Sequence, residues 1–306
     1  MNSQFIAYLK IALAMAIVGS SVVFGKLITS SFPVFLASEL RFIISTIILI
    51  VLLLYKEKGF PSIQPKQLLA LFLQALTGVF LFNIFMLYGL RYTSGIEAGI
   101  ITSTLPAVVG VIAFIFLKEK LTMRKGIGIL LAILGVLSIN LVGGDNISKS
   151  SSLFGNILVF GAVLGEALFI TLGKSVSNKL SPLVITTVMS VFGLLLFLPF
   201  SISEALHFDF SSVSLLDWMN ILYFGVIVTV VAFLLMYQGL TKVSANSAGV
   251  LTSVLPLSAI ILSFFILKED ISLYHILGML LVFGAIFFTS SEESNEDAQS
   301  ENYVSK

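Results

Sequence analysis

The sequence predicts an all-α membrane protein of ten transmembrane helices, arranged as two inverted repeats of five helices with both termini in the cytoplasm. Three observations lead to this fold class. The chain of 306 residues is 58% hydrophobic and only 11% charged, with a mean hydropathy of +1.08, whereas a soluble protein carries roughly 25% charged residues. Its apolar residues form runs long enough to cross a bilayer, and the second half of the chain repeats the first.

The apolar runs fall into two sets of five, at residues 1–142 and 153–290. A helix needs about 20 apolar residues to span the hydrocarbon core. The predicted spans are 6–28, 33–55, 68–90, 96–117, 125–142, 153–173, 182–202, 216–239, 246–267 and 273–290. A polar linker, 143–152, separates the two sets. The acidic residues of 291–306 predict a disordered cytoplasmic tail.

Lysine and arginine set the orientation, because cytoplasmic loops of membrane proteins carry an excess of both. With the N-terminus in the cytoplasm, twelve of the 17 basic residues fall on the cytoplasmic side and four on the outer side, while Arg41 lies within the membrane. The first apolar run is too long for the hydrophobic part of a signal peptide, so we expect it to remain in the mature protein.

The repeat is visible in the sequence itself. The segment 98–106 reads AGIITSTLP and matches AGVLTSVLP at 248–256, an offset of 150 residues, and Leu-Lys-Glu at 117–119 recurs at 267–269. Because each repeat holds an odd number of helices, the second inserts upside down relative to the first. Inverted repeats give alternating-access transporters two near-equivalent end states.

Several classes of function are excluded or disfavoured by what the sequence lacks. Cysteine is absent, which excludes disulfides, thiolate metal sites and cysteine nucleophiles. The two histidines, His207 and His275, stand alone in or near connecting segments, so we expect no metal site. No P-loop motif is present, which excludes ATP-driven transport by this chain alone. No nucleophile–base motif or basic stripe is present either, so we expect no enzyme, no cofactor and no nucleic-acid partner.

The sharpest local signal is a pair of prolines at corresponding positions of the two repeats. A proline within a helix cannot donate to the carbonyl four residues back, so we expect these prolines to release the carbonyls of Thr102 and Thr252. In a membrane, released polar groups must be satisfied by protein, water or substrate, and matched interruptions in two halves point to a central binding site. The alternative is a packing kink. The candidate residues are Thr102, Ser103, Pro106, Thr252, Ser253 and Pro256.

Glu166 and Arg41 are ionisable residues that lie away from the ends of their predicted spans. An ionised carboxylate such as Glu166 costs roughly 3 kcal/mol there unless it is paired, protonated or facing water. Glu166 is therefore either a proton-coupling or amine-binding group, or a neutral acid that locks helix packing. Its position has no acidic counterpart in the first repeat, where Gly19-Ser20 stands. Arg41 is either a site for an anionic group or a structural arginine with an acidic partner; Glu39, Glu97 and Glu166 are the candidates for that partner.

Four further polar residues are candidates to line the same cavity, or to form hydrogen bonds between helices. They lie on the third and eighth predicted helices: Asn83, Tyr88, Tyr237 and Gln238. We expect Glu97 to be interfacial at the outer end of the fourth helix. Glu119 and Glu269 fall at helix ends on opposite membrane faces, which predicts capping or gating roles.

The motifs resemble those of the drug/metabolite transporter superfamily, and specifically of a tandem EamA-type exporter. The resemblance rests on the segment 88–94 (YGLRYTS), the alanine-rich entry of the fourth helix with its central proline, and 117–122 (LKEKLT), with a second copy from Gln238 to Ser272. It covers about residues 7–290. Many members carry Trp-Gly in the first helix, where this chain reads Ile-Val-Gly-Ser at 17–20.

The resemblance implies a secondary transporter that exports small metabolites, such as amino acids or related amphipathic compounds, across the bacterial inner membrane. The expected partners are a small-molecule solute, a proton or sodium ion as coupling ion, and the lipid bilayer. An importer or uniporter of the same fold is the alternative, and a membrane-embedded enzyme or channel is less favoured. The sequence leaves the oligomeric state open.

Overall fold

The computed structural model describes residues 3–57, 63–105, 153–177, 180–242 and 254–281, together with shorter stretches within 107–135 and at 251–252 and 283–284. These residues are helical or lie in short connections, and none of them forms a β-strand. In chain order the helices are α1 (Ser3–Ser31), α2 (Val34–Glu57), α3 (Pro65–Tyr92), α4 (Gly95–Thr102), α5 (Gly126–Gly135), α6 (Leu153–Ser177), α7 (Pro182–Leu206), α8 (Leu215–Leu240), α9 (Val254–Ile266) and α10 (273–281).

Within the described residues, six helices are long and apolar enough to cross a membrane: α1, α2, α3, α6, α7 and α8. They follow from uninterrupted apolar sequence bounded by turn-forming residues, such as Pro33 between α1 and α2. The predicted helical membrane protein is therefore confirmed. The total of ten spans stays a prediction. The linker 143–152 and the tail 291–306 lie outside the described residues.

The second helices of the two predicted repeats, α2 and α7, pack against each other and run antiparallel. The backbone amide of Leu36, near the start of α2, donates to Oε2 of Glu204 near the end of α7, at 2.7 Å. Midway along both helices, the hydroxyl oxygens of Ser45 and Ser190 lie 2.6 Å apart. Two corresponding helices therefore point in opposite directions.

Two glycines at corresponding positions bring other helices into close contact. A Cβ atom added to Gly89 of α3 would lie 2.8 Å from Val159 of α6, and one added to Gly239 of α8 would lie 2.3 Å from Ile11 of α1. Only glycine permits so close an approach. Val159 and Ile11 are themselves 148 residues apart, which is close to the offset of the repeat. Both partners of one contact therefore correspond to the partners of the other.

Helices α3 and α8 each contain a π-helical segment, Leu76–Leu81 and Phe224–Val231. The two segments occupy corresponding positions at the offset of 150 residues. In α8 the wider turn lets the hydroxyl of Thr229 donate to the carbonyl of Phe224, five residues back, at 2.9 Å. Such π-helical turns are rare and frequently lie at functional sites.

The helices that carry the paired prolines are both interrupted just before the proline positions. α4 ends at Thr102 and is followed by a turn at Ser103 and Thr104, and a turn at Thr252 precedes α9. The hydroxyl of Ser103 donates to the carbonyl of Gly99 at 2.9 Å.

In the second repeat, protein satisfies the carbonyl that Pro256 cannot bind. The carbonyl of Thr252 accepts the backbone amide of Leu255 at 3.0 Å. In a continuous α-helix a carbonyl accepts the amide four residues further along. The tighter turn here lets it accept the amide three residues further along instead. Pro106 and Ser253 lie outside the described residues.

Candidate functional site

A cavity lies between helices of the two predicted repeats. Its volume is about 50 Å³, and α1, α2, α3, α6 and α8 contribute its walls. Most of the lining is apolar and rich in methionine and phenylalanine. Its principal apolar side chains are Met15, Phe82, Met86, Phe169, Phe224 and Phe233.

Both π-helical segments contribute to the wall of this cavity. Gly78 comes from the segment in α3, whereas Phe224, Val228 and Thr229 come from the segment in α8. A Cβ atom at Gly78 would lie 2.2 Å from the side chain of Phe169, so glycine there lets α6 pack against the segment. The matched interruptions that border the cavity are therefore these π-helical segments.

Arg41 lies on the cavity wall and is 5% exposed. Its guanidinium carbon is 4.4 Å from the ring centroid of Phe42 and 5.0 Å from that of Phe224, distances at which a cation is attracted by an aromatic face. Its Nε atom is buried without a hydrogen-bond partner, and Arg41 forms no ion pair with the described acidic residues. The acidic partner expected for a structural arginine is thus not among the described side chains.

Glu166 of α6 lines the same cavity. Its Oε2 atom is buried and has no hydrogen-bond partner among the described residues. The helix is held close to α3 here, because a Cβ atom at Gly165 would lie 2.6 Å from the carbonyl oxygen of Thr77. The cavity therefore combines a guanidinium and a carboxyl group that are not paired with each other.

The other predicted site residues divide between this cavity and the helix packing around it. Asn83 lines the cavity and donates to the carbonyl of Val79 in its own helix. Tyr237 is buried and accepts a hydrogen bond from Gln74 at 2.9 Å, and Gln238 accepts one from Lys10 at 2.7 Å. The remaining described candidates are not among the lining residues: Tyr88, Thr102, Ser103, Thr252 and Pro256.

A second group of polar residues lies at the end of α1 and α3 that is predicted to face outward. We call it the Lys26 cluster; it comprises Lys26, Thr93, Glu97, Asn156, Glu269 and His275. Oε1 of Glu269 lies 2.9 Å from Nζ of Lys26 and accepts the backbone amide of Gly95 at 2.9 Å, while Oε2 accepts that of Ile96 at 2.8 Å. The carboxylate therefore binds the N-terminus of α4, where the helix dipole favours negative charge.

The structure corrects one expectation in this cluster, that of an isolated His275. Glu97, at the start of α4, is 3% exposed, and its Oε2 accepts hydrogen bonds from Thr93 at 2.9 Å and Asn156 at 3.1 Å. His275 is not isolated but buried, with Nε2 3.9 Å from Oε1 of Glu97 and Nδ1 accepting the backbone amide of Ser272 at 3.2 Å. No group of three or more potential metal ligands occurs among the described residues.

The EamA-like transporter family model matches residues 5–141 and again residues 153–291. The chain belongs to this family. It is 49% identical over 298 residues to the protein named "Uncharacterized transporter YetK" of Bacillus subtilis (strain 168), a match that covers 97% of this chain and 90% of that protein. A protein named "Uncharacterized transporter" of Archaeoglobus fulgidus is 30% identical over 83% of this chain and 87% of its own length.

The fold of this transporter is also known from a crystal structure of another protein. The two superpose with a TM-score of 0.65 at 16% sequence identity, over 93% of this chain and 98% of that chain. The family and the names of the relatives indicate a transporter rather than an enzyme. Together with the six spanning helices they make it an integral multi-pass membrane protein, which in bacteria resides in the inner membrane.

Most of the cavity wall could not be recognised from sequence. Phenylalanine and methionine are common throughout this chain, which holds 27 and 8 of them, so their presence gives no local signal. The contacts of Glu97 with Asn156 and His275 join residues far apart in the chain. The offset of 150 residues did contain a usable signal, since Leu-Lys-Glu at 267–269 repeats an earlier segment and Glu269 does contact a helix terminus.

Proposed function

We propose that this protein is a secondary transporter that exports small amphipathic metabolites, such as amino acids, by alternating access. One observation carries the proposal: a cavity between the two repeats that holds Arg41 and Glu166 without an ion pair between them. Buried charged groups in proteins are normally paired. Groups left unpaired at a cavity wall are suited to a solute that supplies the missing partners.

The antiparallel course of α2 and α7 supports the alternating-access mechanism. Corresponding helices that run in opposite directions are what two inverted repeats produce. The close approaches at Gly89 and Gly239, which fall on corresponding residues, agree with this relation. A pair of inverted repeats has two conformations of similar energy, open to opposite faces, with the binding site between them.

The chemistry of the cavity favours a zwitterion with an apolar side chain. A solute carboxylate fits the guanidinium of Arg41, which presents several donors, and a solute ammonium group fits the carboxyl of Glu166. Phe169 and Phe233 supply an apolar surface for the rest of the solute. Polyanions fit poorly, because the described lining carries one guanidinium beside a carboxyl group.

Export and proton coupling complete the proposal. Export is the direction implied by the resemblance to EamA-type exporters; import or uniport by the same fold is the alternative. A carboxyl group such as Glu166 can carry either a proton or a solute amine, so exchange of the two at one group would couple outward solute movement to inward proton movement.

Purified protein in proteoliposomes tests both parts of the proposal. We expect counterflow of radiolabelled amino acids with large apolar side chains, and faster solute transport under a pH gradient. In Glu166→Gln the amide cannot exchange protons, so the stimulation by the gradient disappears. Counterflow persists with a raised KM, because the solute ammonium group loses its carboxylate partner. The matched control is Asp209→Asn, an exposed acid between α7 and α8, which keeps the stimulation. Unchanged gradient dependence in Glu166→Gln would sink proton coupling through this residue, and absence of counterflow across the amino-acid panel would sink the substrate class.

A further inference from the structure

The Lys26 cluster lies just beyond one end of the cavity. Along α1, Lys26 follows the cavity residue Ser21 by five residues, and along α3, Thr93 follows the cavity residue Leu87 by six. At 1.5 Å per residue these separations are about 8–9 Å. The cluster therefore occupies the layer through which a solute must pass to leave the cavity at this face, which we call the Lys26 face.

The layer between the cavity and the cluster is tightly packed. A Cβ atom added to Gly25 would lie 3.0 Å from Leu87 and 3.3 Å from Leu90, and within 3.7 Å of Phe224. Three helices, α1, α3 and α8, thus meet around Gly25. Close packing around Gly25 therefore lies on the route from the cavity to the Lys26 face.

The hydrogen bonds of Glu269 cross from one repeat to the other. Glu269 follows α9 in the second repeat, and its carboxylate is bound by Lys26 and by the amides of Gly95 and Ile96, all in the first repeat. Lys268 brings the carboxylate into this position, since its φ of 56° turns the chain at the end of α9. A single side chain therefore joins α1 and the start of α4 to the second repeat.

The contacts of Glu269 with the first repeat can separate more easily than the hydrogen bonds of Glu97, because they are partly exposed. The side chains of Lys26 and Glu269 are 28% and 15% exposed, whereas Glu97 is 3% exposed. Water can replace the partners of a partly exposed ion pair, so such a pair separates at low cost. Breaking the contacts of a buried carboxylate would leave it without partners.

We propose that Glu269 is the latch of the Lys26 face. While its carboxylate holds Lys26 and the N-terminus of α4, the cavity stays closed on that side; release of these three donors lets the two repeats separate there. This inference rests on the proposed function, because a latch has a role only if the cavity opens to one face and then to the other.

The chain contains no cysteine, which allows a direct test by site-specific labelling without solute. A single cysteine replaces the cavity residue Met86, and its modification by a membrane-impermeant maleimide is measured in vesicles of both orientations. With Glu269→Gln we expect modification from the Lys26 face to accelerate about fivefold or more, and modification from the opposite face to slow. Lys26→Met, which removes one of the three donors, should give a smaller change in the same direction.

The control is Asp270→Asn, which removes the same charge one residue further along at an exposed position and should label like the parent. Equal rates for Glu269→Gln and the parent, with the cysteine reached from the opposite face, would overturn the latch and leave the transport proposal intact. A cysteine that is never modified from either face in any variant would overturn both. Equal acceleration by Asp270→Asn would show a general charge effect and would also overturn the latch.

Discussion

The cavity and the Lys26 cluster both contain carboxyl groups between the two repeats, but the carboxylates of the cluster have hydrogen-bond partners, whereas Oε2 of the cavity carboxyl has none among the described residues. In the cluster, Glu269 accepts three hydrogen bonds and Glu97 is held by Thr93 and Asn156. In the cavity, Nε of Arg41 and Oε2 of Glu166 are buried without partners in the described part of the chain. Under the proposed function, the carboxylates of the cluster hold the two repeats together, whereas the unpartnered groups of the cavity bind a solute.

The two regions also differ in whether their residues have counterparts in the other repeat. The cluster is built around a helix N-terminus and the recurring Leu-Lys-Glu segment, so its main parts have counterparts in the other half of the sequence. Arg41 and Glu166 have none, since Glu166 aligns with the uncharged residues around Gly19. Under the proposed function, the duplicated segments form the framework that moves, whereas the residues that bind the solute occur in one repeat only. Substitutions in the cavity should therefore impair transport, and those in the cluster should impair stability or gating.

The largest expected effect is that of Arg41→Met on transport. The substitution removes the group that would bind a solute carboxylate, and a hydrogen bond to a charged group contributes roughly 1.5–3 kcal/mol, so kcat/KM should fall by about 10- to 100-fold. Thermal stability in detergent, followed by intrinsic fluorescence, should stay equal or rise, because an unpaired buried charge is lost. Counterflow in proteoliposomes provides the transport measurement.

Arg91→Met is the matched control for this variant. Arg91 stands over the ring of Tyr88, with its guanidinium carbon 5.3 Å from the ring centroid, and donates to the carbonyl of Phe32 at 3.3 Å, away from the cavity wall. Its removal should leave kcat/KM nearly unchanged. If Arg41→Met transported normally but unfolded at a much lower temperature, Arg41 would be a structural residue and the contrast between the two regions would fail.

A middle-sized effect is expected for Asn156→Leu, this time on stability. Asn156 donates to the buried carboxylate of Glu97 and contacts Thr93, and loss of a partner for a buried polar group costs roughly 1–3 kcal/mol. The matched variant is Asn83→Leu in the cavity, which loses only a bond to its own helix and should cost less. Thermal unfolding of both variants in the same detergent measures the difference. Equal destabilisation would mean that the cavity is packed as a structural core.

The long helices were predictable from sequence because lipid imposes a simple requirement. A span must be apolar over about 20 residues, and runs such as 182–202 meet that requirement without any knowledge of tertiary structure. The repeat could also be recognised from the sequence, because matching residues recur in the two halves of the chain. Its consequence, that α2 and α7 run antiparallel, follows from the odd number of helices.

The cavity was less predictable because its determinants are not properties of single residues. No residue type marks the π-helical segments of α3 and α8 in the sequence. The paired prolines did predict an interruption, but not which group satisfies the carbonyl of Thr252; the backbone amide of Leu255 does so. Burial of Glu97 was missed because its position at a helix start resembles an interfacial one, and its partner Asn156 lies in the other repeat.

The smallest effect, and the one that bears on how the cluster is assembled, concerns Lys268. A residue with a side chain at φ 56° incurs roughly 1 kcal/mol of steric cost, and glycine removes that cost while adding roughly 0.5 kcal/mol of unfolded-chain entropy. Lys268→Gly should therefore stabilise the protein by about 0.5 kcal/mol, seen as a small rise in Tm, and should slow labelling of the cavity from the Lys26 face.

Lys268→Ala separates the backbone from the side chain in this experiment. Alanine loses the ammonium group but keeps the steric cost of positive φ, so it should show no gain in Tm. If alanine and glycine stabilised equally, the lysine charge would be the destabilising feature. The opposite result would be that glycine lowers Tm and accelerates labelling. In that case the side chain of Lys268 would stabilise the turn, and the backbone conformation at residue 268 would not be what places the carboxylate of Glu269 against α4.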